Sequence, residues 1–375
     1  MHGAKRSSST RRHRLAALLL FHLGSLGAAV ASQGSTSSAT VKLIVDTDIG
    51  GGGCNDVDDV VALGVANALA DNGEAELLAV VLDTAPVRCA GAISVLNHFY
   101  GRDSVPIGAY NTSTSDATLK MQEPLDYVNV LVENFDSPIK TSAQAEDAVA
   151  LYRRVLAAQP DHSVAISSIG IHTNLAALLK SDADEHSPLG GEALVAQKVK
   201  LLVVMGGTYP GGLECNLCGG ASNLHNHLVA SAASSYVAAN WPTRIIWSGF
   251  EVGFRVQSGG TGFQKCAVAT ATNPVRAAMV SYEHGENRSR YSWDPLTTLV
   301  AVRGAAAASC SECTDCDGKN VVDPISGSNK WVPGPKTNQT YLVLHDGMAV
   351  GAALDALLCQ GPKNPPLWPS IPKVP

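Results

Sequence analysis

The sequence predicts an α/β protein with a mostly parallel central sheet and helices on both faces. Apolar, β-branched runs recur along the chain and are continuous rather than alternating, which is typical of strands covered on both faces. Helix-like stretches separate these runs, and such an alternation favours a parallel sheet. The runs are Val41 to Val45, Leu77 to Leu82, Val164 to Ile169, Lys200 to Met205 and Arg244 to Trp247, with helical patterns that include Val57 to Ala70 and Gly91 to Tyr100.

The composition is that of an ordinary globular protein. Of the 375 residues, 45% are hydrophobic and 16% are charged, and the formal net charge is −6. An acidic chain lacks the cationic surface that phosphate backbones and anionic lipids require. We therefore expect a small-molecule partner and neither a nucleic-acid polymer nor a membrane surface.

The first 31 residues have the features of a secretory signal peptide. A basic opening precedes an apolar run from Leu15 to Val30, and Ala29-Val30-Ala31 forms a small-residue cleavage site before Ser32. The run falls short of the roughly 20 apolar residues of a membrane-spanning helix. The sequence thus predicts a secreted, extracellular protein with a short linker over 32–40 and a single domain over 41–375.

Glycosylation and disulfide bonds are expected in such a compartment. Asn-x-Ser/Thr sequons occur at Asn111, Asn287 and Asn338. All nine cysteines follow the predicted cleavage point, and their odd number leaves at least one thiol free or paired between chains. Zinc is a second interpretation for the Cys-x-x-Cys steps of Cys310, Cys313 and Cys316 with Cys215 and Cys218, but an oxidising compartment favours disulfides. The stretch of about 305–336 is expected to be a disulfide-braced surface excursion.

Polar residues follow the predicted strands at the edge where a parallel sheet binds its ligands. Several carboxylates at one rim would repel one another unless a cation neutralised them, and calcium suits irregular carboxylate and carbonyl ligands. Asp58 and Asp59 alone could be favoured by the dipole of the helix they open, but this does not explain Asp48. Asp46 is expected to brace the loop, since alternate strand residues point to opposite faces. The polar residues are Asp46, Asp48, Asp58, Asp59, Asp83, Asn174, Glu214, Asn216 and Asp294.

These motifs resemble the inosine-uridine preferring nucleoside hydrolase family. Its signature, an Asp-x-Asp-x-Gly segment that runs into a pair of aspartates, stands here as Asp46 to Gly50 and Asp58-Asp59. Several motifs in the right order make the resemblance specific over roughly residues 41–303, with a weaker echo from Tyr341 to Leu358. The further segments are Val164 to Leu175, Met205 to Gly207, Glu214 to Asn216, Asn273-Pro274 and Trp293 to Pro295.

The resemblance implies calcium-dependent hydrolysis of the N-glycosidic bond of ribonucleosides to ribose and free base, in purine or pyrimidine salvage. It implies a homodimer or homotetramer, and it implies Asp48 as the general base that takes a proton from the attacking water. It implies calcium ligands at Asp48, Asp59, the main-chain carbonyl of Ile169 and Asp294. On the substrate side it implies Asp58, Asp83, Met205, Glu214, Asn216 and Trp293.

Three positions depart from the family pattern. The loop from Gly51 to Asn55 is longer than the usual link, and Asp83 stands where the family has an asparagine. Trp293 stands where some members have a histidine proposed to protonate the leaving base. An indole does not titrate near neutral pH, so we expect the base to stack on Trp293, with inactivity as the alternative. If Trp293 only packs, His172 and His284 are the next candidates for the acid.

Two other functions stay open at this point. Asp46-x-Asp48 also resembles the aspartyl-phosphate motif of haloacid dehalogenase-type phosphatases, in which one aspartate attacks phosphorus. That interpretation leaves Glu214-x-Asn216 and Trp293-Asp294 unexplained. The non-enzymatic alternative is a secreted nucleoside- or sugar-binding protein that kept the metal and lost turnover.

Overall fold

A computed structural model describes residues 39–51, 54–110, 119, 123–220 and 224–365. The predicted signal peptide, most of the predicted linker and the Asn111 sequon lie outside the described residues. Residues 39–365 of the described part belong to one compact unit. No helix in the described ranges combines the length and apolarity that crossing a membrane requires.

The described residues contain strands that form one large sheet and two small ones. The strands are β1 (Val41–Thr47), β2 (Ala75–Leu82), β3 (Ile107–Ala109), β4 (Glu146–Asp147), β5 (Val164–Ser168), β6 (Val199–Met205), β7 (Gly211–Gly212), β8 (Arg244–Ser248), β9 (Gln257–Ser258), β10 (Arg290–Tyr291), β11 (Cys310–Glu312), β12 (Gly318–Val322), β13 (Asn329–Pro333) and β14 (Gln339–Leu344). The large sheet has the order β11-β14-β8-β6-β5-β1-β2-β3-β4. All of its neighbours pair in parallel except β11 and β14.

Helices fill the connections between the strands. Several begin at side chains that accept a hydrogen bond from the first turn, such as Asp147, whose carboxylate accepts from Ala150 N at 2.9 Å. The helices are α1 (Asp58–Asp71), α2 (Cys89–Phe99), α3 (Asp126–Asn134), α4 (Ala148–Ala157), α5 (Thr173–Lys180), α6 (Gly191–Lys198), α7 (Cys215–Cys218), α8 (Leu224–Asn240), α9 (Phe250–Gly253), α10 (Thr261–Gln264), α11 (Pro274–Tyr282), α12 (Trp293–Arg303) and α13 (Gly347–Leu358).

The sheet separates two apolar cores, as the continuous apolar runs predict. In β1, Leu43 and Val45 join the core that includes residues of α1, α2 and α12, while Ile44 joins the core that includes α4 and α5. Successive side chains of a strand point to opposite faces, so each face carries its own layer of helices. The predicted fold class is confirmed.

The order of the strands reverses at β1. The chain moves from β1 through β2, β3 and β4 on one side and then returns to β5 on the other side. In open parallel sheets, ligands bind in the crevice beyond the carboxyl ends of the strands at such a reversal. Asp48 follows β1 and Ile169 follows β5, so the fold brings both to this crevice.

The segment 305–336 contributes strands as well as loops. β12 and β13 form a hairpin whose Trp331 side chain is buried, and β13 also pairs with β7. Asn329 accepts a hydrogen bond from Thr208 N at 2.9 Å and donates one to Thr208 O at 3.0 Å. The segment therefore supports the loop that follows β6, next to Glu214.

Candidate active site

A group of buried carboxylates lies where β1 ends and α1 begins. Asp58 and Asp59 are the first two residues of α1, where the exposed N–H groups of a helix favour negative charge. The Thr47 hydroxyl donates a hydrogen bond to Asp59, and the backbone N–H of Asp294 donates to Asp58 Oδ2 at 3.1 Å. The starts of α1 and α12 thus hold their acids against each other.

These acids form a donor set that fits a metal ion. Carboxylate oxygens of Asp58, Asp59 and Asp294 lie within 4.8 Å of one another. Burial, followed by the charge of a neighbouring carboxylate, raises the pKa of each well above its usual range, and Asp48 is the strongest such neighbour of Asp59. A divalent cation bound among these three carboxylates and Asp48 would stabilise the charged form of each acid. An all-oxygen donor set suits a hard cation.

Asp48 is held in this group by its backbone surroundings. It is 1% exposed, and its Oδ2 accepts a hydrogen bond from Cys54 N at 3.0 Å. A Cβ atom at Gly170 would lie 2.5 Å from Asp48 N and 2.3 Å from Asp83 Oδ2. Only glycine therefore allows the β5 loop to approach Asp48 this closely.

Glu214 and Asn216 form the next part of the site. Asn216 Nδ2 donates to the carbonyl oxygens of Ile169 and Met205, both at 3.3 Å. Glu214 caps α7 and accepts hydrogen bonds from Asn216 N at 2.8 Å and Gly207 N at 3.0 Å. Burial raises the pKa of Glu214 to about 7 despite these donors. The motif therefore connects the ends of β5 and β6.

A disulfide bond joins the glycine-rich loop to this motif. Cys54 and Cys215 are paired across a sequence separation of 161 residues. Cys54 donates its N–H to Asp48, and Cys215 lies between Glu214 and Asn216, so the bond connects two groups of site residues. Two further pairs, Cys266–Cys359 and Cys313–Cys316, leave buried thiols at Cys89, Cys218 and Cys310. Of the Cys-x-x-Cys steps, Cys313 and Cys316 form a disulfide with each other, whereas Cys215 pairs with Cys54, and Cys218 and Cys310 stay as thiols.

A cavity of about 300 Å³ opens above the carboxylates, within the usual range of about 300 to 1,000 Å³ for small-molecule sites. Six residues expected from the sequence line it: Asp58, Ile169, Met205, Asn216, Trp293 and Asp294. The other lining residues are Cys54, Asn55, Asp56, Cys215, Phe250 and Arg290. Asp48, Asp59 and Glu214 lie outside this lining set, but each is next to a lining residue. Asp48 accepts a hydrogen bond from Cys54 N, Glu214 accepts one from Asn216 N, and Asp59 follows Asp58 in the sequence.

Aromatic side chains form one wall of the cavity. The half-buried Trp293 stacks on Phe250 with ring centroids 5.3 Å apart, and its Nε1 donates to Phe250 O at 2.8 Å. Phe254 and Tyr291 extend this wall and stack on each other at 4.5 Å. The cavity therefore has an acidic side and an aromatic side.

Asp83 pairs with Asp46 instead of lining the cavity. Burial, and then the charges of Asp46 and Asp48, raise the pKa of Asp83 well above its usual range, and burial raises that of Asp46 to about 6. Asp46 accepts a hydrogen bond from the Tyr152 hydroxyl at 2.5 Å, on the far side of the sheet. Asp46 therefore faces α4 rather than the cavity, and its expected role in bracing the loop stays a prediction.

The two histidines named as alternative acids lie away from the cavity. His172 is fully buried beside Trp247, and its Nδ1 is 2.9 Å from Ser234 Oγ. Burial lowers the pKa of His172 to about 4, so it is neutral near pH 7. His284 is exposed in the turn after α11.

Sequence reasoning missed the ion pair between Asp56 and Arg290. Arg290 Nε lies 2.9 and 3.0 Å from the two carboxylate oxygens of Asp56. The partners are 234 residues apart, and Arg290 belongs to a strand of only two residues. Its aromatic neighbours in the sequence, Tyr291 and Trp293, are the one local signal of a ligand-facing segment.

The raised pKa values predict that the metal-free protein loses stability as the pH rises. A carboxyl group whose pKa is higher in the folded chain than in the unfolded chain binds more protons when folded. The unfolding free energy therefore falls as the pH rises from the unfolded-state pKa to the folded-state pKa. For Glu214 this window runs from 4.5 to about 7. Urea unfolding in chelator should give a smaller unfolding free energy at about pH 7 than at about pH 5. An equal or larger value at the higher pH would contradict the electrostatic description of the site.

The comparisons with known proteins agree with this geometry. Residues 43–363 match the family model described as inosine-uridine preferring nucleoside hydrolase. No curated protein sequence matches the chain.

Solved structures with a similar fold include two hydrolases and an effector. The plant nucleoside hydrolase PpNRh1 is 18% identical, with a TM-score of 0.60 over 85% of this chain and 99% of that chain. The inosine-uridine preferring nucleoside hydrolase from Bacillus anthracis is 17% identical, with a TM-score of 0.60 over 86% and 99%. The type III effector XopQ, solved with adenosine diphosphate ribose, is 16% identical, with a TM-score of 0.55 over 86% and 94%. At these identities the likeness concerns the fold.

Proposed function

The chain belongs to the inosine-uridine preferring nucleoside hydrolase family, and from this premise we propose that it uses calcium to hydrolyse ribonucleosides to ribose and free base. One observation carries the proposal. Buried carboxylates at the strand-order reversal form an acidic side of a cavity that also has an aromatic side, made by Phe250 and Trp293. A ribose presents hydroxyls to the first side, and a nucleobase presents a flat ring to the second.

The ligands that would hold calcium are Asp48, Asp59, Asp294 and the carbonyl oxygen of Ile169. Three carboxylates and a carbonyl from separate loops are an irregular oxygen set, which suits calcium better than the strict octahedron of magnesium. When bound, the ion supplies a fixed positive charge that neutralises the acids and polarises the groups it holds. This fit rests on the buried, mutually repelling acids described above.

The mechanism assigns a step to each group of residues. Asp48 accepts a proton from the water that attacks C1′, while the bond from C1′ to the base nitrogen breaks. The ribose then carries positive charge, which the neighbouring carboxylates stabilise. Asp58, Glu214 and Asn216 would hold the sugar by hydrogen bonds, and Asn216 is fixed for this by its own bonds to Ile169 and Met205.

The proposal is tested by the release of reducing sugar from inosine and uridine, with and without chelator. Sugar release that stops in chelator and returns with calcium supports it. Nucleoside binding without sugar release would instead favour a nucleoside-binding protein that has lost turnover. One fold can serve different functions, so this alternative is a real one. Phosphatase chemistry with Asp46 as the nucleophile is disfavoured, because the Asp46 carboxylate accepts a hydrogen bond from the Tyr152 hydroxyl of α4 on the far side of the sheet.

Replacing Trp293 with alanine tests the aromatic wall. A stacked base is held by ring area and electron distribution, so the KM for inosine and uridine should rise and kcat should fall. p-Nitrophenyl riboside, whose leaving group needs no protonation, should be much less affected. Initial-rate kinetics on both substrate classes measure the difference. Equal losses on both would make Trp293 a packing residue that positions Asp294.

We also propose that the protein is secreted and glycosylated. Asn287 and Asn338 are exposed, as acceptor asparagines must be. Asn338 Nδ2 already donates to the carbonyl oxygens of Trp241 and Thr243, so Asn287 is the more accessible of the two. The mass of protein from a secreting eukaryotic culture, before and after enzymatic removal of N-glycans, tests both assignments.

A further inference from the structure

Within the described part of the chain, the cavity lining offers no histidine that could protonate the departing base. The acids of this lining are the carboxylates Asp56, Asp58 and Asp294. His172 is buried elsewhere and His284 is exposed. A bound cation would keep the carboxyl groups of Asp58 and Asp294 charged, so another residue type is needed to stabilise the negative charge of the departing base.

Arg290 is the basic residue among those that line the cavity. Its guanidinium carbon lies 5.6 Å from the ring centroid of Tyr291 and 5.7 Å from that of Trp293. A third ring, that of Tyr282, lies 5.4 Å away. The guanidinium therefore belongs to the aromatic wall against which the base would stack, where cations and ring faces attract one another.

The ion pair with Asp56 fixes this guanidinium without using all its donors. Arg290 Nε and Nη2 donate to Asp56, with Nη2 at 2.5 Å from Oδ2. Asp56 is itself held by the N–H of Val57 at 2.6 Å. Within the described residues, Arg290 Nη1 has no hydrogen-bond partner. The side chain is 27% exposed, so its remaining N–H groups are open to a ligand.

We propose that Arg290 contacts the departing nucleobase and stabilises its negative charge as a permanently protonated hydrogen-bond donor. The inference rests on the proposed function and adds the leaving-group residue to it. Asp56 is then a positioning residue, since it acts by holding the guanidinium. A planar guanidinium presents several N–H groups in a fixed fork, which fits the adjacent ring nitrogen and carbonyl oxygen of a nucleobase.

The step is balanced without proton donation by Arg290. Water attacks C1′ and gives its proton to Asp48, while both electrons of the bond from C1′ to nitrogen stay on the base nitrogen. The base anion hydrogen-bonds to Arg290 and later takes a proton from solvent, while Asp48 releases the proton that it accepted to solvent, so that the enzyme returns to its starting state. A guanidinium stays protonated at neutral pH, so it lowers the energy of the anion and does not act as a general acid.

The test compares leaving groups in Arg290→Gln. Removing one donor that faces developing negative charge typically costs about 10² to 10³ in kcat. We expect a loss of this size on inosine and uridine, and a loss below about tenfold on p-nitrophenyl riboside, whose anion needs less stabilisation. Arg290→Lys keeps the charge and should recover part of the activity. Arg288→Gln, an exposed arginine two residues away, should behave like the wild type.

A purely structural role would give a different pattern. If Arg290→Gln lowers activity equally on both substrate classes, or on neither, the inference is wrong. The double variant Asp56→Asn/Arg290→Gln removes both charges and serves as the test if the single variant does not fold; the same selective loss is expected. If the wild type cleaves no riboside, the proposed function itself is wrong. If the wild type is active but Arg290→Gln shows no selective loss, only the role of Arg290 is wrong.

Discussion

Replacing Asp59 with alanine is expected to abolish calcium binding and nucleoside hydrolysis while the chain stays folded. Asp59 is 1% exposed, next to Asp48 and Asp294, and would supply carboxylate oxygens to the ion. Its removal also takes away a charge that repels its neighbours, so folding does not depend on it. Calcium titration by calorimetry and reducing-sugar release measure the two losses, and circular dichroism checks the fold.

A matched control comes from a half-buried acid outside the site. Burial raises the pKa of Asp355 to about 6, but its carboxylate accepts a hydrogen bond from Gly259 N at 2.7 Å and does not line the cavity. Asp355→Ala should therefore keep calcium affinity. Full activity of the wild type in excess chelator, or tight calcium binding by Asp59→Ala, would refute the metal assignment.

Asp48→Asn should lower kcat by about 10² to 10⁴, the usual contribution of general acid–base catalysis, and change KM little. The amide keeps an oxygen for calcium and can still accept the hydrogen bond from Cys54 N, yet it cannot take a proton from water. The loss should therefore appear in the chemical step. Steady-state kinetics with saturating calcium separate kcat from KM.

Asp46→Asn is the natural comparison for this variant. It lies two residues earlier and makes the same chemical change, but its carboxylate faces Tyr152 on the other side of the sheet. We expect a much smaller effect on kcat than that of Asp48→Asn. If Asp48→Asn stays within a few-fold of the wild type, another residue accepts the proton.

The central part of the fold was predictable because its signal is local. The runs around Leu43, Ile166 and Val203 are continuous and apolar because helices cover both faces of β1, β5 and β6. The acids follow directly in the sequence, so the order of the strand ends was enough to suggest that Asp48 and Asp59 meet. β14 was not predicted as a strand, because its apolar run is short and follows the polar residues Gln339 and Thr340.

The pairings across the site were not predictable, because they join residues that are far apart in the chain. Nothing near Cys54 specifies Cys215 among eight other cysteines. Arg290 and Asp56 are 234 residues apart, and no local sequence pattern predicts that they meet. Asp83 was expected on the substrate side. It lies beside Asp46 instead, because of the register of β2 against β1. Such contacts emerge only from the assembled sheet.

The Cys54–Cys215 bond also bears on how the protein is assembled. Its partners belong to opposite sides of the strand-order reversal, since Cys54 follows β1 and Cys215 follows β6. Before folding, the entropy of closing so long a loop keeps the two thiols apart, so their correct pairing requires that the two halves of the sheet have docked. Once formed, the bond removes about 5 kcal/mol of chain entropy from the unfolded state in the loop-closure model. We therefore expect this disulfide to form late in folding. A host that keeps its thiols reduced would yield folded chains that lack the bond and the stability it adds.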